Sequence, residues 1–533
     1  MNRLRFSKNG NVISRFFALA LGVGILLAAH TVSLSFPSSV FAQKTSRPGR
    51  PADAAGAAQQ ANPLPPELQD LGMRIKEPFT FAGVGDLIVR HPFGQLADPK
   101  FQGLIQHLRD ADVAFANMEG TLLDFDTFET PIAGGAPKGL LADMKSMGLR
   151  IVGTANNHSW DGSVAGIFET IKNLDEAGIV HAGTGRNLQE ARSASFFNGP
   201  KGTVGLVSMW SIDPTTGGGD RAPASYREGD RGGSPGLNAL HVTPYYVVTQ
   251  EQMDALRKIR DALYARRSEV PSTSMAIQPI SPDEPKDRLQ LYENWYKVGP
   301  KIGDVQYTMN PQDEREILRA IKNGKENSDF MVASIHCHQA NYAFQEYSFD
   351  NDVPDFLRDL AHKAIDNGAD VFIGEGVHTL RGVEIYKDKP IFFGVSNFLF
   401  QLNQTSIVAN PGAGTLTDTE ANWRPERHTL DNLEVLMVTA HYEGGKLTEA
   451  RLYPVDLGQE ATRPISRVGV PMTPSPEIAQ RILAKVQRIS KPFGTNISIE
   501  NNVGVIRVGN DVGINRVPQT GVNASTSGRG ATQ

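Results

Sequence analysis

The strongest constraint on the fold is an alternation of short apolar runs and amphipathic helical segments along the chain. FTFAGVG (Phe79 to Gly85) is typical of a strand, FQGLIQHLRDAD of a helix, and VAFANMEG (Val113 to Gly120) of the next strand. The pattern continues through SVAGIFETIKNLDEAG, whose apolar residues fall on one helical face. This rhythm predicts an α/β fold in which helices cover both faces of a sheet.

The chain of 533 residues divides into five predicted segments. We expect a signal peptide at 1–42, a disordered linker at 43–75, a main domain at 76–457, a C-terminal extension at 458–514 and a disordered tail at 515–533. Residues 211–325 break the rhythm, because a glycine-rich polar stretch is followed by a charged helical one. We expect this region to be an insertion over one edge of the sheet.

The N-terminus predicts export. Four basic residues flank or precede the apolar run from Phe16 to Ala29. This run is short for a membrane span of roughly 20 residues, and Val40 to Ala42 approximates a cleavage site, so we expect a secretory signal cut after Ala42. The alternative is an uncleaved membrane anchor through residues 16–29. Both interpretations place the remaining chain outside the cytoplasm, either periplasmic or secreted.

Charge and cysteine content limit which partners the protein can bind and which interactions can stabilise it. Removing residues 1–42 takes away four positive charges and no carboxylates, which moves the formal net charge from −5 to −9. This acidic balance argues against nucleic acid as a partner. Cys337 is the single cysteine, so no intrachain disulfide forms, and stability must come from the core, to which bound metal could add.

Five polar clusters follow or end predicted strands. They contain Asp86; Asn117 and Glu119; Asn156, Asn157, His158 and Asp161; His336 and His338; and Glu375 and His378. Separate strand ends can converge at the carboxyl edge of one sheet. This mixture of carboxylate, amide and imidazole suits a divalent cation such as Mn, Zn, Fe or Mg.

Each cluster also has a purely structural interpretation. Asp86 could form a turn or cap a helix, and His336 and His338, which alternate onto one face, could be a buried hydrogen-bonded pair. We expect Asp161 to shape a turn or to cap the helix that follows it. Polar clusters at five strand ends favour a functional site over five unrelated turns. The sequence shows neither a nucleophile elbow nor a Walker-type glycine loop.

In their order and spacing, these clusters resemble the CapA family of capsule or poly-γ-glutamate synthesis proteins. The motifs are GD, ANMEG, NNHSWDG, IHCH and GADVFIGEGVHTLRGVEIYKDKPIFFGVSNFLFQ, and the similarity covers about residues 76–457. Because that family is related to calcineurin-like metallophosphatases, the resemblance implies a four-layer α/β/β/α sandwich. It also implies a site for one or two divalent metal ions and an extracytoplasmic role in handling an anionic polymer.

The resemblance further implies roles for individual residues. Asp86 would bind the first metal, and Glu119 would take the place of the bridging carboxylate. Asn157 and His336 would bind the second metal. His378 would be an outer ligand, and His158 would be the general acid. We assign Asn117, Asn156, Asp161 and His338 to shaping the site or binding the substrate.

Two positions depart from the family pattern. Leu87 and Ile88 follow Asp86, so an Asp-x-His motif is absent, and Glu375 stands where the first of two histidines is expected. Either Glu375 binds metal and lowers the net charge of the site, or one metal is lost and the site is mononuclear or inactive.

The leading hypothesis is an exported CapA-like protein in the biosynthesis or export of capsule or a poly-γ-glutamate-type polymer. Its expected activity is metal-dependent hydrolysis or transfer at an amide or phosphoester bond. The expected partners are an anionic polymer or capsule precursor and membrane-bound capsule synthesis proteins. The alternatives are a non-catalytic polymer-binding assembly factor with a degraded site and a metallophosphoesterase acting on nucleotides or phospholipid.

Overall fold

The computed structural model describes residues 72–89, 92–93, 96–124, 135–213, 223–226, 232–268, 284–341, 351–401, 433–459 and 467–509. The predicted signal peptide, most of the predicted linker and the predicted C-terminal tail lie outside these residues. All the described residues belong to one compact unit, Leu64–Gln533. Within them, no helix combines the length and the apolar character needed to cross a membrane.

The described residues form the following elements. The strands are β1 (Phe79–Ile88), β2 (Val113–Asn117), β3 (Thr121–Leu123), β4 (Gly135–Pro137), β5 (Ile151–Gly153), β6 (Val180–Ala182), β7 (Thr184–Gly185), β8 (Ser195–Gly199), β9 (Gly202–Ile212), β10 (Gly236–Leu237), β11 (Ala239–Val248), β12 (Arg288–Leu291), β13 (Asn294–Val298), β14 (Val305–Met309), β15 (Phe330–His336), β16 (Val371–Glu375), β17 (Val383–Tyr386), β18 (Lys389–Phe392), β19 (Asn397–Phe400), β20 (Glu434–Glu443), β21 (Lys446–Asp456), β22 (Ser498–Glu500) and β23 (Val503–Arg507). The helices are α1 (Pro99–Asp110), α2 (Leu140–Ser146), α3 (Ser163–Ala177), α4 (Leu188–Arg192), α5 (Gln250–Ser268), α6 (Pro311–Glu326), α7 (Asp355–Asp366) and α8 (Pro476–Ser490).

Local sequence determines where several helices begin and end. The Asp98 side chain caps α1 by accepting a hydrogen bond from the backbone N–H of Lys100 at 2.9 Å, and Pro99 occupies the first helical position. Asn310 caps α6 in the same way, and Pro311 follows it. Helix α3 ends at Gly178, which adopts the left-handed conformation with φ of 69°.

Two large sheets organise these elements. The nine-stranded sheet has the order β22-β23-β21-β20-β1-β2-β5-β6, and β19 also pairs with β1. The ten-stranded sheet has the order β12-β13-β11-β9-β15-β16-β18-β17, with β14 pairing with β11 and β8 with β9. The central strands β1, β2 and β5 are mutually parallel, as are β9, β15 and β16.

The two sheets pack face to face between two layers of helices. The core between the sheets includes Phe81 from the nine-stranded sheet and Leu206 from the ten-stranded sheet. Helices α1 to α3 cover the outer face of the first sheet, where Ile105 is fully buried, and α6 and α7 cover the second, where Leu360 is fully buried. Each such side chain stabilises the fold by about 1.5–3 kcal/mol. The predicted α/β/β/α sandwich is confirmed.

Segments outside the regular rhythm join the same sheets. Within residues 211–325, β11 runs parallel to β9 and extends the ten-stranded sheet, and β12, β13 and β14 continue that edge. Helix α6 then buries Ile317 and Ile321 in the outer layer. Beyond residue 457, β23 pairs with β21, and α8 buries Ile482 and Leu483 in the core between the sheets.

The parallel strands bring the polar clusters to one end of the sandwich. In the nine-stranded sheet, Asp86 lies opposite Asn117 on β2 and opposite Asn397 on β19. In the ten-stranded sheet, His336 lies opposite Glu375. Asn117 and His336 come from different sheets, yet their side chains are 3.0 Å apart. The carboxyl ends of both sets of strands therefore line one polar site.

Candidate metal centre

Asp86 is a fully buried carboxylate held by donors from both sheets. Its Oδ1 accepts a hydrogen bond from Asn117 Nδ2 at 2.8 Å, and its Oδ2 accepts one from the backbone N–H of Gly376 at 3.0 Å. Burial alone would raise its pKa, but hydrogen bonds and positive charge from His336 and His378 outweigh that effect and lower the pKa well below its usual range. Asp86 therefore remains ionised, the form that binds a cation.

Glu119 is buried without a hydrogen-bond partner among the described residues on either carboxylate oxygen. Its Oε1 faces three imidazoles instead, since the Nε2 atoms of His158, His336 and His378 each lie 3.9 Å away. Burial and the negative charge of Asp86 raise the pKa of Glu119. An unpartnered buried carboxylate is costly, and a bound cation removes that cost.

Two groups of side chains in the described part of the chain could hold a metal ion. One is Asp86, Glu119 and His336, and the other is Glu119, His338 and His378; within each group the ligand atoms lie within 4.8 Å of one another. Glu119 belongs to both groups, so its carboxylate could bridge two ions. The imidazole content favours Mn, Zn or Fe over Mg. The residues present thus fit one or two divalent cations.

The histidine rings face this common point. His336 Nε2 is 2.9 Å from Asn157 Oδ1 and 3.1 Å from His338 Nε2. Loss of hydration and the charges of His336 and His378 lower the pKa of His338 well below its usual value, which favours the neutral ring that binds metal. Loss of hydration would also lower the pKa of His378, but the negative charge of Glu119 and the contacts with Asp86 and Asn397 raise it to about 9. A cation would displace that proton.

His158 lies at the mouth of the site. Its Nδ1 is 2.7 Å from Asp161 Oδ2, and its side chain is 37% exposed, whereas its Nε2 points towards Glu119. Asp161 therefore fixes the ring so that one nitrogen faces the ligand cluster. The loop is held by Asn156, whose Oδ1 accepts from the His158 backbone and whose Nδ2 donates to the carbonyl of Met118 at 2.8 Å.

The Glu375 side chain is hydrogen-bonded to a neighbouring strand. Its Oε1 accepts a hydrogen bond from Ser334 Oγ at 2.6 Å, and its buried Oε2 has no partner among the described residues. Burial and the charge of Asp86 raise its pKa well above the usual value. Neither candidate metal group includes it. The structure brings the other predicted ligands together and places His338, which we had assigned to site shaping, among the ligand atoms.

Asn397 and Ser334 contact site residues but were not predicted from the sequence. Asn397 Oδ1 is 2.8 Å from His378 Nδ1, and Ser334 donates to Glu375. Both are polar residues in buried strands that are mostly apolar, FMVASIH and NFLF. A polar residue within a buried run is the signal that could have identified them.

Comparisons with known proteins agree with the sequence resemblance. The family model described as Bacterial capsule synthesis protein PGA_cap matches residues 80–402. Uncharacterized protein y4sH of Sinorhizobium fredii is 35% identical over 462 residues, which cover 81% of this chain and 94% of that protein. PGA biosynthesis protein CapA of Bacillus subtilis is 32% identical over 95 residues, 18% of this chain and 23% of that protein.

Solved structures were also compared with this chain. A Staphylococcus aureus chain assigned as a 5'-nucleotidase aligns with a TM-score of 0.33 and 10% identity over 77% of this chain and 58% of that one, a likeness too slight to argue from. The family assignment rests on the first two matches, which span most of the sandwich and every cluster of the site. The chain therefore belongs to the bacterial capsule synthesis protein family PGA_cap.

Proposed function

We propose that this protein is a metal-dependent hydrolase or transferase that acts on an anionic capsule-type polymer. The observation that carries this proposal is Glu119, whose two buried oxygens lack partners among the described residues and face three imidazole nitrogens. Such an arrangement is expensive unless a cation binds there. The capsule family and the name of the Bacillus subtilis relative support the polymer.

The proposed centre would hold two divalent ions, and Glu119 would be available to both. Asp86 and His336, with the amide oxygen of Asn157, would bind one ion, and His338 and His378 would bind the other. Bound divalent cations supply Lewis acidity at a carbonyl or phosphoryl oxygen. Glu375, which accepts a hydrogen bond from Ser334, is not one of these proposed ligands.

His158 is the proposed general acid. Its Nε2 faces the cluster and would protonate the leaving atom, while the Asp161 carboxylate at 2.7 Å from Nδ1 holds the ring and stabilises the imidazolium. The His158 side chain is 37% exposed, which leaves the ring accessible to a substrate. For a polymer of the poly-γ-glutamate type the bond is an amide, and the leaving atom is its nitrogen.

The proposed place of action is outside the cytoplasm, as the basic and apolar pattern of residues 1–42 predicts. Cell fractionation followed by N-terminal sequencing of the mature protein tests this. We expect the mature chain to begin at Gln43. A cytoplasmic chain that retains Met1 would contradict the proposal.

Activity is tested with purified protein reconstituted with Mn²⁺ or Zn²⁺ and assayed on poly-γ-glutamate beside a panel of phosphoesters. We expect chain cleavage or transfer that is lost in His158→Ala. The control is His181→Ala, because His181 forms a comparable pair with Asp175 (3.2 Å) outside the site. Stoichiometric metal without turnover on any substrate would support the assembly-factor alternative, and absence of metal would exclude the proposed centre.

A further inference from the structure

We infer that Asn397 is a positioning residue that orients His378 for metal binding. Asn397 Oδ1 lies 2.8 Å from His378 Nδ1, so Nδ1 carries the proton and donates a hydrogen bond to the amide oxygen. The lone pair then falls on Nε2, the atom 3.9 Å from Glu119 Oε1. A second partner of this kind fixes the tautomer and the direction of a metal-binding histidine. The inference rests on the proposed metal centre.

The backbone places Asn397 beside the site through a contact between β1 and β19. The N–H of Asp86 donates to the carbonyl of Ser396 at 3.3 Å, and Asp86 lies opposite Asn397 in the parallel register. This approach requires glycine at Gly85, because a Cβ there would lie 1.7 Å from the Ser396 oxygen. The position of Asn397 is therefore fixed by long-range packing.

Two non-glycine residues next to this contact have left-handed backbone conformations. Ser396 has φ of 65° and His378 has φ of 55°. Such conformations cost of order 1–3 kcal/mol each and persist where the surrounding structure enforces them. Here the two strained positions flank the contact between Asn397 and His378.

Asp86 is the competing partner for the same ring nitrogen. Its Oδ2 is 3.5 Å from His378 Nδ1, which is longer than the Asn397 contact, and it already accepts the Gly376 N–H at 3.0 Å. Asp86 is also needed as a ligand of the other ion. The shorter contact assigns the orienting role to Asn397.

The test is titration of the metal-free full chain with Mn²⁺ and Zn²⁺ by calorimetry. In Asn397→Leu, which keeps the size and removes the acceptor, we expect one of two ions to bind about 10–100-fold more weakly and the other to be unchanged. Asn397→Asp keeps an oxygen acceptor and should restore the lost affinity. The control is Asn173→Leu, which removes a buried amide on α3 that donates to the Leu122 carbonyl.

The outcomes separate the inference from the proposed function. If the wild-type chain binds no metal, the proposed centre is wrong. If the wild type binds two ions and Asn397→Leu binds both with unchanged affinity, the positioning role is overturned, as it is if Asn397→Asp fails to rescue. Should Asn397→Leu not fold, Asn397→Ser, which is too short to reach the ring, carries the same expectation.

Discussion

Replacing Gly85 with alanine should disrupt both the fold and the site. The new Cβ would lie 1.7 Å from the Ser396 carbonyl oxygen and 2.8 Å from its carbon. To reach an ordinary contact, the Ser396 carbonyl just before β19 must move away from β1 by roughly 1.7 Å, which interiors at crystal-like density resist. Overpacking costs about 1–3 kcal/mol, and the lost bond from the Asp86 N–H costs about 1 kcal/mol more. We therefore expect Gly85→Ala to lower the free energy of unfolding by about 2–4 kcal/mol.

Urea denaturation of the full chain, followed by circular dichroism, measures this loss as a lower transition midpoint. The matched control is Gly103→Ala, because Gly103 lies in helix α1 and a Cβ there meets nothing within 4 Å. Alanine in a helix interior is favoured over glycine by about 0.5–1 kcal/mol, so this variant should be slightly more stable than wild type. A Gly85→Ala chain as stable as the control would refute the assigned β1–β19 contact.

Two further predictions concern the Asp161–His158 pair and Asp313, a carboxylate whose contribution to stability depends on pH. Asp161→Asn should lower turnover by about 10²–10⁴-fold with metal content unchanged, because His158 loses the charge that stabilises its protonated form; unchanged turnover would contradict the assigned role. Burial would raise the pKa of Asp313, but hydrogen bonds from His241 and Arg192 lower it. A lowered folded-state pKa contributes stability above the unfolded value of about 3.9, and that stability is lost as the pH falls through the folded-state pKa. Asp313→Asn should therefore flatten the loss of stability below about pH 4 in melting curves, and a slope equal to wild type would contradict this.

The layered fold could be predicted from the sequence because its central strands are local apolar runs with clear ends. Residues such as Asp86, Glu119 and His336 could be grouped because each follows a strand, and parallel strands end at one edge. Residues 239–248 were harder, since ALHVTPYYVV follows a glycine-rich stretch and its pairing with β9 depends on tertiary contacts. Local patterns indicate elements, whereas register is decided by the partner strand.

The details of the site depended on long-range contacts. Strand β15 ends at His336, and His338 reaches the ligand cluster from just beyond it. The resemblance implied a metal ligand at Glu375, but the Glu375 side chain accepts a hydrogen bond from Ser334. Asn397 begins a strand instead of following one, so the strand-end rule did not find it. Only the packing of the two sheets reveals these relations.

Counting metal ions per chain by mass spectrometry, in the wild type and in Glu119→Gln, tests the central claim most directly. Glu119→Gln keeps the shape and removes the charge that both proposed ligand groups share. We predict two divalent ions per wild-type chain and loss of both in the variant. A wild-type chain without stoichiometric metal, or a variant that retains both ions, would contradict the account.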